Sequence, residues 1–229
     1  MTPGVKRKIL FPNFVRVRLT EEIKSEAYSH AVQRTQHIKR QFRPPASPLS
    51  HLESNFIGCL GELITFQYFA IDLGLKTDYS KHQVDDGDLH LSGKIYDVKT
   101  DAVMKRFYQK IYTGSIREYE PYGCRVFTAK HLHHLEKYTG GLIFAVFPIP
   151  DDVKKDKVEG EIRQRILQFI GHGLLVGYIP TAHIQRKTPT WYSPVNPATG
   201  KRRKYNSENF IFHHSELYPV ADLKETQRV

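Results

Sequence analysis

The pattern of hydrophobic and polar positions in the first third of the chain predicts two helices. The segment that follows Thr20, EEIKSEAYSHAVQRTQHIKRQF, begins with acids, and a threonine in front of acids is typical of a helix start. The prolines at 44–45 are expected to close this helix, because each denies helical geometry to its predecessor. A broad apolar stripe from about Leu52 to Leu73 predicts the second helix, and Gly74 is expected to end it.

Shorter apolar patterns farther along the chain predict a β-sheet. The segment DGDLHLSGKIYDVKT alternates with period two on each side of Ser92-Gly93, which is the pattern of a hairpin with a tight turn. The run GLIFAVFPIP is typical of a strand covered on both faces, and ILQFIGHGLLVGYIP indicates one or two more strands. The charged segment between them, DDVKKDKVEGEIRQR, is expected to be a surface connection. Together these patterns predict an α/β fold with a central sheet and flanking helices.

The C-terminal quarter of the chain is rich in turn-forming and basic residues. The segment HIQRKTPTWYSPVNPATGKRRKYNSENF predicts a long surface loop in front of a last strand near NFIFHH. Its cations are candidates for contacts with phosphates or a DNA groove, unless the loop is only a flexible, solubilising excursion. These candidates are Arg186, Lys187, Lys201, Arg202, Arg203 and Lys204.

A second basic segment, Met104–Lys110, mixes cations with aromatic residues directly after the hairpin. Such mixtures are typical of surfaces that follow a nucleic-acid backbone, and Lys105 and Arg106 are its candidate contacts. An amphipathic helix would give the same pattern, so this alternative stays open.

Length and composition indicate one domain. A chain of 229 residues with 40% hydrophobic content can bury a core of substantial size. We expect one domain over 1–229, with a helical segment at 1–50, a core at about 52–180, and the basic loop and last strand at about 181–229. No apolar run reaches the roughly 18 residues that cross a bilayer, and the basic start lacks the apolar stretch of a secretory signal. A cytoplasmic location is therefore expected.

The charge balance indicates a polyanionic partner. A net charge of +10 and a pI near 9.5 allow the chain to bind polyanions, of which nucleic acid is the commonest. Charge alone does not identify a DNA-binding protein, because many basic proteins have only solvated basic faces.

Cysteines and histidines do not predict a zinc site. Cys59 and Cys124 have neither the number nor the spacing of a metal site or a disulfide framework, so both are interpreted as small core residues. The cluster HLHH at 131–134 has no second ligand pair at zinc-like spacing and is interpreted as a solvent-facing helix. The pair at 213–214 is interpreted in the same way.

The hairpin brings charged residues to one face of the sheet. If Ser92-Gly93 is the turn, Leu91 pairs with Lys94, and counting outward puts Asp88 opposite Asp97. Lys99 lies two residues beyond Asp97 and therefore points to the same face. The residues expected on the opposite, core-facing side are Leu89, Leu91, Tyr96 and Val98.

Two opposed carboxylates require compensation, because like charges across a ladder are destabilising. Mg²⁺ fits, since it takes one or two protein carboxylates and leaves other positions to water and phosphate oxygens. Lys99 would then orient the water nucleophile or stabilise negative charge. The alternative is a polar hairpin whose Asp and Lys residues are solvated or paired with each other. Asp86 faces Lys99 in the same register and replaces Asp88 if the register slips.

This arrangement resembles the D…(D/E)xK signature of the PD-(D/E)XK nuclease superfamily, the fold of many restriction endonucleases. Asp88 lies nine residues before Asp97-Val98-Lys99, and the upstream helix contains Gly58-Cys59-Leu60-Gly61-Glu62, which is similar to the GxxGE of that superfamily's first core helix. The resemblance spans roughly residues 55–100. The sequence departs from it in having Gly87 where proline is usual and Asp97 where glutamate is commoner. Thr100 and Asp101, which follow the motif, are interpreted as strand end and cap.

The resemblance implies a restriction-endonuclease-like core with a mixed sheet, and a Mg²⁺-dependent DNA endonuclease in which Mn²⁺ may substitute. It implies catalytic roles for Asp88, Asp97 and Lys99, with Glu62 as a further catalytic residue and metal ligand beside the two aspartates. Double-stranded DNA is the expected partner, RNA is not excluded, and a homodimer would supply the two sites needed to cut both strands. The alternatives are a structure-selective repair or recombination nuclease and a non-catalytic nucleic-acid-binding module.

Overall fold

The computed structural model of the chain describes residues 14–37, 48–71, 89–154 and 160–225. The strands are β1 (Val15–Arg18), β2 (Leu89–Leu91), β3 (Lys94–Met104), β4 (Cys124–Thr128), β5 (Gly141–Ile149), β6 (His172–Ile179), β7 (Thr190–Tyr192) and β8 (Lys204–His213). The α-helices are α1 (Glu21–His37), α2 (His51–Phe69), α3 (Lys105–Tyr112), α4 (Gln164–Phe169), α5 (Thr181–Gln185) and α6 (Asp222–Glu225). Short 3-10 helices span Ala129–Glu136 and His214–Glu216. The predicted α/β class, with a central mixed sheet and flanking helices, is confirmed at this level.

Two sheets organise the described part of the chain. The larger has five strands in the order β1-β6-β5-β3-β2, with β3 and β5 parallel and the other neighbours antiparallel. The smaller is antiparallel, with the order β4-β8-β7. Because β4 and the 3-10 helix at 129–136 lie between β3 and β5 in sequence, the chain leaves the larger sheet and returns to it in the parallel direction.

The two N-terminal helices follow from their caps and apolar spacing. Thr20 Oγ1 accepts a hydrogen bond from the backbone N–H of Ile23 at 3.3 Å, so the predicted cap of α1 is confirmed. Helix α2 begins with a capping box, in which Ser50 Oγ accepts from the N–H of Glu53 and the Glu53 carboxylate accepts from the N–H of Ser50. The prediction that α2 continues to Gly74 is wrong. Ala70 takes a left-handed conformation with φ of 55°, and its N–H bonds back to Phe66 and Gln67, which closes the helix at Phe69.

The larger sheet is covered on both faces, so β5 is buried along its whole length, as predicted. One face packs against α1, α2 and α4, and the other packs against α3, α5 and the smaller sheet. Side chains that fill the first core include Phe56, Leu60, Ile64, Val98, Phe147 and Ile166. Side chains that fill the second core include Val103, Ile111, Phe144, Leu174, Ile184 and Phe212.

The structure corrects several sequence predictions. The segment ILQFIGHGLLVGYIP contains helix α4 followed by one strand, β6. The predicted C-terminal loop is wrong in part, because it contains α5 and β7, and β8 begins at Lys204 rather than near Asn209. Strands β1 and β4 were not predicted. No helix in the four described ranges is long and apolar enough to cross a bilayer.

Candidate active site

The hairpin formed by β2 and β3 has the predicted register. Leu91 pairs with Lys94 and Leu89 pairs with Tyr96. Both turn residues have positive φ, 48° at Ser92 and 74° at Gly93, which matches the right-handed twist of the two strands. The predicted partner of Asp97, Asp88, and its alternative, Asp86, lie outside the described residues.

Strand β3 separates an apolar face from a charged face. Leu89, Leu91, Tyr96 and Val98 all join the core cluster under α2, as predicted. Side chains alternate along a strand, so Asp97 and Lys99 lie on the opposite face. The alternation predicted from the sequence therefore holds over the whole DxK segment.

Asp97 and Lys99 form an ion pair. The Nζ atom of Lys99 lies 2.6 Å from Oδ2 of Asp97. Only 4% of the Asp97 side chain is exposed, whereas 39% of the Lys99 side chain is exposed. The carboxylate is thus fixed inside the protein, and the amine that binds it reaches solvent.

Asp101 extends the charged row of β3 and connects it to the smaller sheet. The Nη1 atom of Arg125, on β4, lies 2.5 Å from Oδ2 of Asp101, and Nη2 of Arg125 donates to the carbonyl of Tyr122. Arg125 has no exposed surface, although arginine is rarely buried completely unless it is paired. The prediction that the strand ends at Thr100 and Asp101 is wrong, because β3 pairs with β5 as far as Met104. Sequence reasoning missed the role of Arg125, whose strand was not predicted.

Arg106 and Arg203, two of the predicted DNA contacts, belong to separate segments of the chain, and both act on Tyr122. Burial raises the pKa of the Tyr122 hydroxyl and the charge of Asp101 adds to the rise, while the charges of Arg125, Arg203 and Arg106 oppose it. Arg106 belongs to α3 and Arg203 directly precedes β8. Both cations therefore act on the Tyr122 hydroxyl, although they belong to different parts of the chain.

The other predicted contacts differ in their surroundings. Lys105 is exposed, with Nζ 5.5 Å from the centre of the Phe169 ring, and Arg186 is exposed at the end of α5. Lys187 pairs with Glu216 at 2.5 Å and lies 4.6 Å from the ring centre of Phe212, so its charge is engaged within the fold. Lys201, Arg202, Arg203 and Lys204 are all exposed.

The structure places Glu62 against the first helix. Arg34 Nη1 and Nη2 donate to its two carboxylate oxygens at 2.9 and 3.1 Å. A Cβ atom at the neighbouring Gly61 would lie 1.9 Å from Oγ1 of Thr100, so glycine permits the close approach of α2 to β3. Thr100 lies on the face of β3 opposite to Asp97. Glu62 is thus held by Arg34 of α1, and its predicted role in the reaction stays a prediction.

A metal ion at this site would have few carboxylate ligands among the described residues. Within the four described ranges, no group of three or more His, Cys, Asp and Glu side chains is placed to hold a metal ion. Asp97 offers hard, anionic oxygen in a fixed position, which suits Mg²⁺, and this ion commonly uses one or two protein carboxylates. The residues that would hold it are Asp97 and, from the sequence pattern, Asp88.

The histidine pairs are structural in their contacts. His131, His133 and His134 lie on a 3-10 helix with their rings stacked on one another. His214 Nε2 lies 3.4 Å from the carbonyl of Tyr122, and burial, with the charge of Arg125, lowers the pKa of His214 to about 3. His214 is therefore neutral at physiological pH.

Comparison of the chain with protein-family models, with characterised proteins and with solved structures gave no significant match. The resemblance to the PD-(D/E)XK nucleases therefore rests on the motif residues in the sequence of this chain alone.

Proposed function

We propose that this protein is a Mg²⁺-dependent DNA endonuclease that hydrolyses phosphodiester bonds and uses Asp97 and Lys99 as catalytic residues. The observation that carries the proposal is the pair itself: a buried carboxylate bound at 2.6 Å by a half-exposed lysine. The hairpin register and the separation of apolar and charged faces on β3 support the same assignment. The proposal includes a restriction-endonuclease-like core, to which the mixed sheet and the parallel β3–β5 pair are suited.

Each residue has a role that follows from its position. Asp97 is fixed by burial, and its carboxylate would hold the metal ion. Bound Mg²⁺ supplies Lewis acidity at the phosphate and a lower pKa for water. Lys99 has solvent access, so its ammonium group can turn from Asp97 to an arriving phosphate and stabilise the negative charge that develops there.

DNA is the substrate that the surrounding charge favours. The chain has a net charge of +10, and Arg106 and Arg203 add positive potential beside the row that contains Asp97 and Lys99. Phosphate contacts of this kind hold and orient a nucleic acid without reading its sequence. The proposed partner is therefore bound chiefly through its backbone near the site.

The deciding experiment is cleavage of supercoiled plasmid by the purified full chain in Mg²⁺, with EDTA as the parallel control. Lys99→Ala is expected to lower the cleavage rate by about a hundredfold or more, which is typical for loss of one transition-state donor. DNA affinity in EDTA and the melting temperature are expected to stay near those of the wild type, because the lysine is half exposed.

Lys94→Ala is the matched control. Lys94 lies on the same strand as Lys99 and is exposed next to the turn. The Lys94→Ala variant should therefore cleave plasmid at the wild-type rate. A Lys99→Ala variant with most of the wild-type rate would remove Lys99 from the reaction. Binding without cleavage by the wild-type protein would instead identify a non-catalytic nucleic-acid-binding module.

A further inference from the structure

A second functional element lies in the hairpin that joins β7 to β8. We define the basic arm as residues 190–205. Tyr192 pairs with Lys204, the N–H of Ser193 bonds to the carbonyl of Arg203 at 2.8 Å, and the N–H of Asn196 bonds to the carbonyl of Lys201 at 2.9 Å. The arm is therefore a hydrogen-bonded hairpin from its base to its tip, not the loop that the sequence predicts.

The basic arm carries concentrated positive charge. Lys201, Arg202, Arg203 and Lys204 are consecutive and exposed. The sequence of the arm contains no Asp or Glu, and the first acid after it is Glu208. Such a surface is complementary to a polyanion, and the regular hairpin holds the four cations at defined positions.

Large aromatic side chains are exposed beside these cations. Trp191 and Tyr192 are 45% and 44% exposed and are neighbours on the edge strand β7, whose pairing with β8 shifts register between Thr190 and Tyr192. The guanidinium of Arg203 lies 5.4 Å from the ring centre of Tyr205. Aromatic rings interleaved with cations on one ordered element are typical of surfaces that bind single strands.

We propose that the basic arm binds single-stranded DNA, with unpaired bases stacked on Trp191 and Tyr192 and phosphates held by the residues at 201–204. In a duplex the flat faces of the bases are covered by their neighbours, so an exposed indole has no base face to contact. In a single strand those faces are open, and stacking on an aromatic ring tolerates any base. The arm thus selects for unpaired nucleotides by geometry.

The position of the arm extends this inference to the substrate of the reaction, and this part rests on the proposed function. Strand β8 continues directly from the arm and pairs with β4, and Arg125 of β4 pairs with Asp101 of β3. We therefore infer that a strand held by the arm runs toward the charged face of β3. The proposed substrate class is DNA that joins a duplex to a single-stranded portion, such as a flap or a branch.

Trp191 is the only tryptophan of the chain, so its fluorescence reports directly on the arm. The full chain is titrated in EDTA with a dT oligonucleotide of about 16 nucleotides, the upper end of common single-strand site sizes. A blunt duplex of the same length and an abasic strand of equal charge are the comparison ligands. We expect saturable quenching by the dT strand, no quenching by the abasic strand, and at least about tenfold weaker binding of the duplex.

Variants identify the residues responsible, with affinities measured by anisotropy of a labelled dT strand. Trp191→Ala and Tyr192→Ala are each expected to raise the Kd by about fivefold to a hundredfold. Tyr28→Ala, on α1, removes a tyrosine of similar exposure, 43%, and should leave the Kd unchanged. Equal binding of duplex and single strand, or an unchanged Kd in Trp191→Ala, would overturn the proposal. Because no cleavage is measured, failure of the nuclease proposal leaves this result interpretable.

Discussion

Glu62 and Asp97, two acids that the sequence pattern assigns to one site, have different partners in the fold. Glu62 is bound through both oxygens by Arg34, and the pair ties α2 to α1. Asp97 is bound by Lys99 two residues away on the same strand. The guanidinium of arginine matches a carboxylate with two parallel donors, whereas lysine is a compact charge on a flexible stem. The Glu62–Arg34 pair is therefore suited to a permanent contact, whereas Lys99 can leave Asp97 to bind another anion.

The comparison teaches that a motif match does not establish a common site. Gly61 and Glu62 are adjacent, but Gly61 is explained by the close contact of α2 with Thr100, and Glu62 by its bond to Arg34. Gly61 and Glu62 of the GxxGE pattern therefore each have a structural reason to be there. Asp97 and Lys99 instead form an ion pair within one strand, between a buried carboxylate and a half-exposed amine.

The largest expected effect concerns the Asp97–Lys99 pair as a unit. Asp97→Asn should lower the rate of plasmid cleavage by about a hundredfold or more, as Lys99→Ala does. The double variant should be about as slow as either single variant, because residues that act together in one step lose their contribution together. Initial rates of nicking in Mg²⁺ measure all three.

Thermal melting of the wild type and of Asp97→Asn is the control for these rate measurements. Mg²⁺ should raise the melting temperature of the wild type and not that of Asp97→Asn, because a ligand stabilises only the state that binds it. If the two single losses instead multiply in the double variant, Asp97 and Lys99 act independently and the proposed unit is wrong.

Glu62→Gln is expected to affect stability rather than cleavage. The variant loses the charge-assisted bonds from Arg34, which should lower the free energy of unfolding by about 1 to 3 kcal/mol. The cleavage rate of the folded protein should stay close to the wild-type rate. Urea denaturation and plasmid cleavage at a temperature well below melting separate the two effects. A variant of wild-type stability that does not cleave would make Glu62 part of the reaction, as the sequence pattern predicts.

Glu53→Gln is the matched reference for Glu62. Glu53 is fully buried and accepts bonds from Arg163 Nε at 2.7 Å and Nη2 at 2.8 Å, as well as from the N–H of Ser50. Burial alone would raise the pKa of Glu53, but the side chain of Arg163 and the backbone N–H groups of Ser50 and Arg163 donate to the carboxylate and hold its pKa below the ordinary value. Glu53→Gln should lower the free energy of unfolding by about 3 to 5 kcal/mol, as is typical when one partner of a buried ion pair is removed. A smaller decrease in the free energy of unfolding for Glu53→Gln than for Glu62→Gln would contradict this expectation.

A further expected effect is a pH dependence of the free energy of unfolding, which comes from His214. Because the pKa of His214 falls from 6.5 to about 3 on folding, the unfolded chain binds a proton between these values and the folded chain does not. The free energy of unfolding should therefore decrease as the pH falls from 6.5 toward 3, by at most about 1.4 kcal/mol per pH unit from this group. His214→Gln should show a shallower slope in urea titrations at successive pH values. Identical slopes would exclude His214 as the source.

The hairpin site was predictable because its determinants are local. Ser92-Gly93 suits a two-residue turn, and this turn alone sets the pairing of Leu91 with Lys94 and the faces of Asp97 and Lys99. The long apolar run of β5 was equally clear, since no other strand of that length in the described part of the chain is buried on both faces.

Other features depended on contacts that are distant in sequence. Arg125 is charged, so its strand resembles a solvated segment until Asp101 of β3 is brought against it. The partner of Glu62 lies in α1, 28 residues earlier, and no local pattern indicates it. The basic arm resembled a loop because β7 is short and is followed at once by Ser193-Pro194. Its order comes from cross-strand bonds that sequence composition does not encode.

Arg125 also constrains how the chain reaches its native state. An unpaired guanidinium is too costly to bury, so β4 cannot dock before Asp101 of β3 is in place to receive it. Each sheet therefore depends on the other. If only the larger sheet were formed, the second apolar face of that sheet would be exposed to solvent. Folding and unfolding should therefore be one cooperative step for both sheets, with backbone amides of β4 and β5 exchanging their hydrogens at the same global rate.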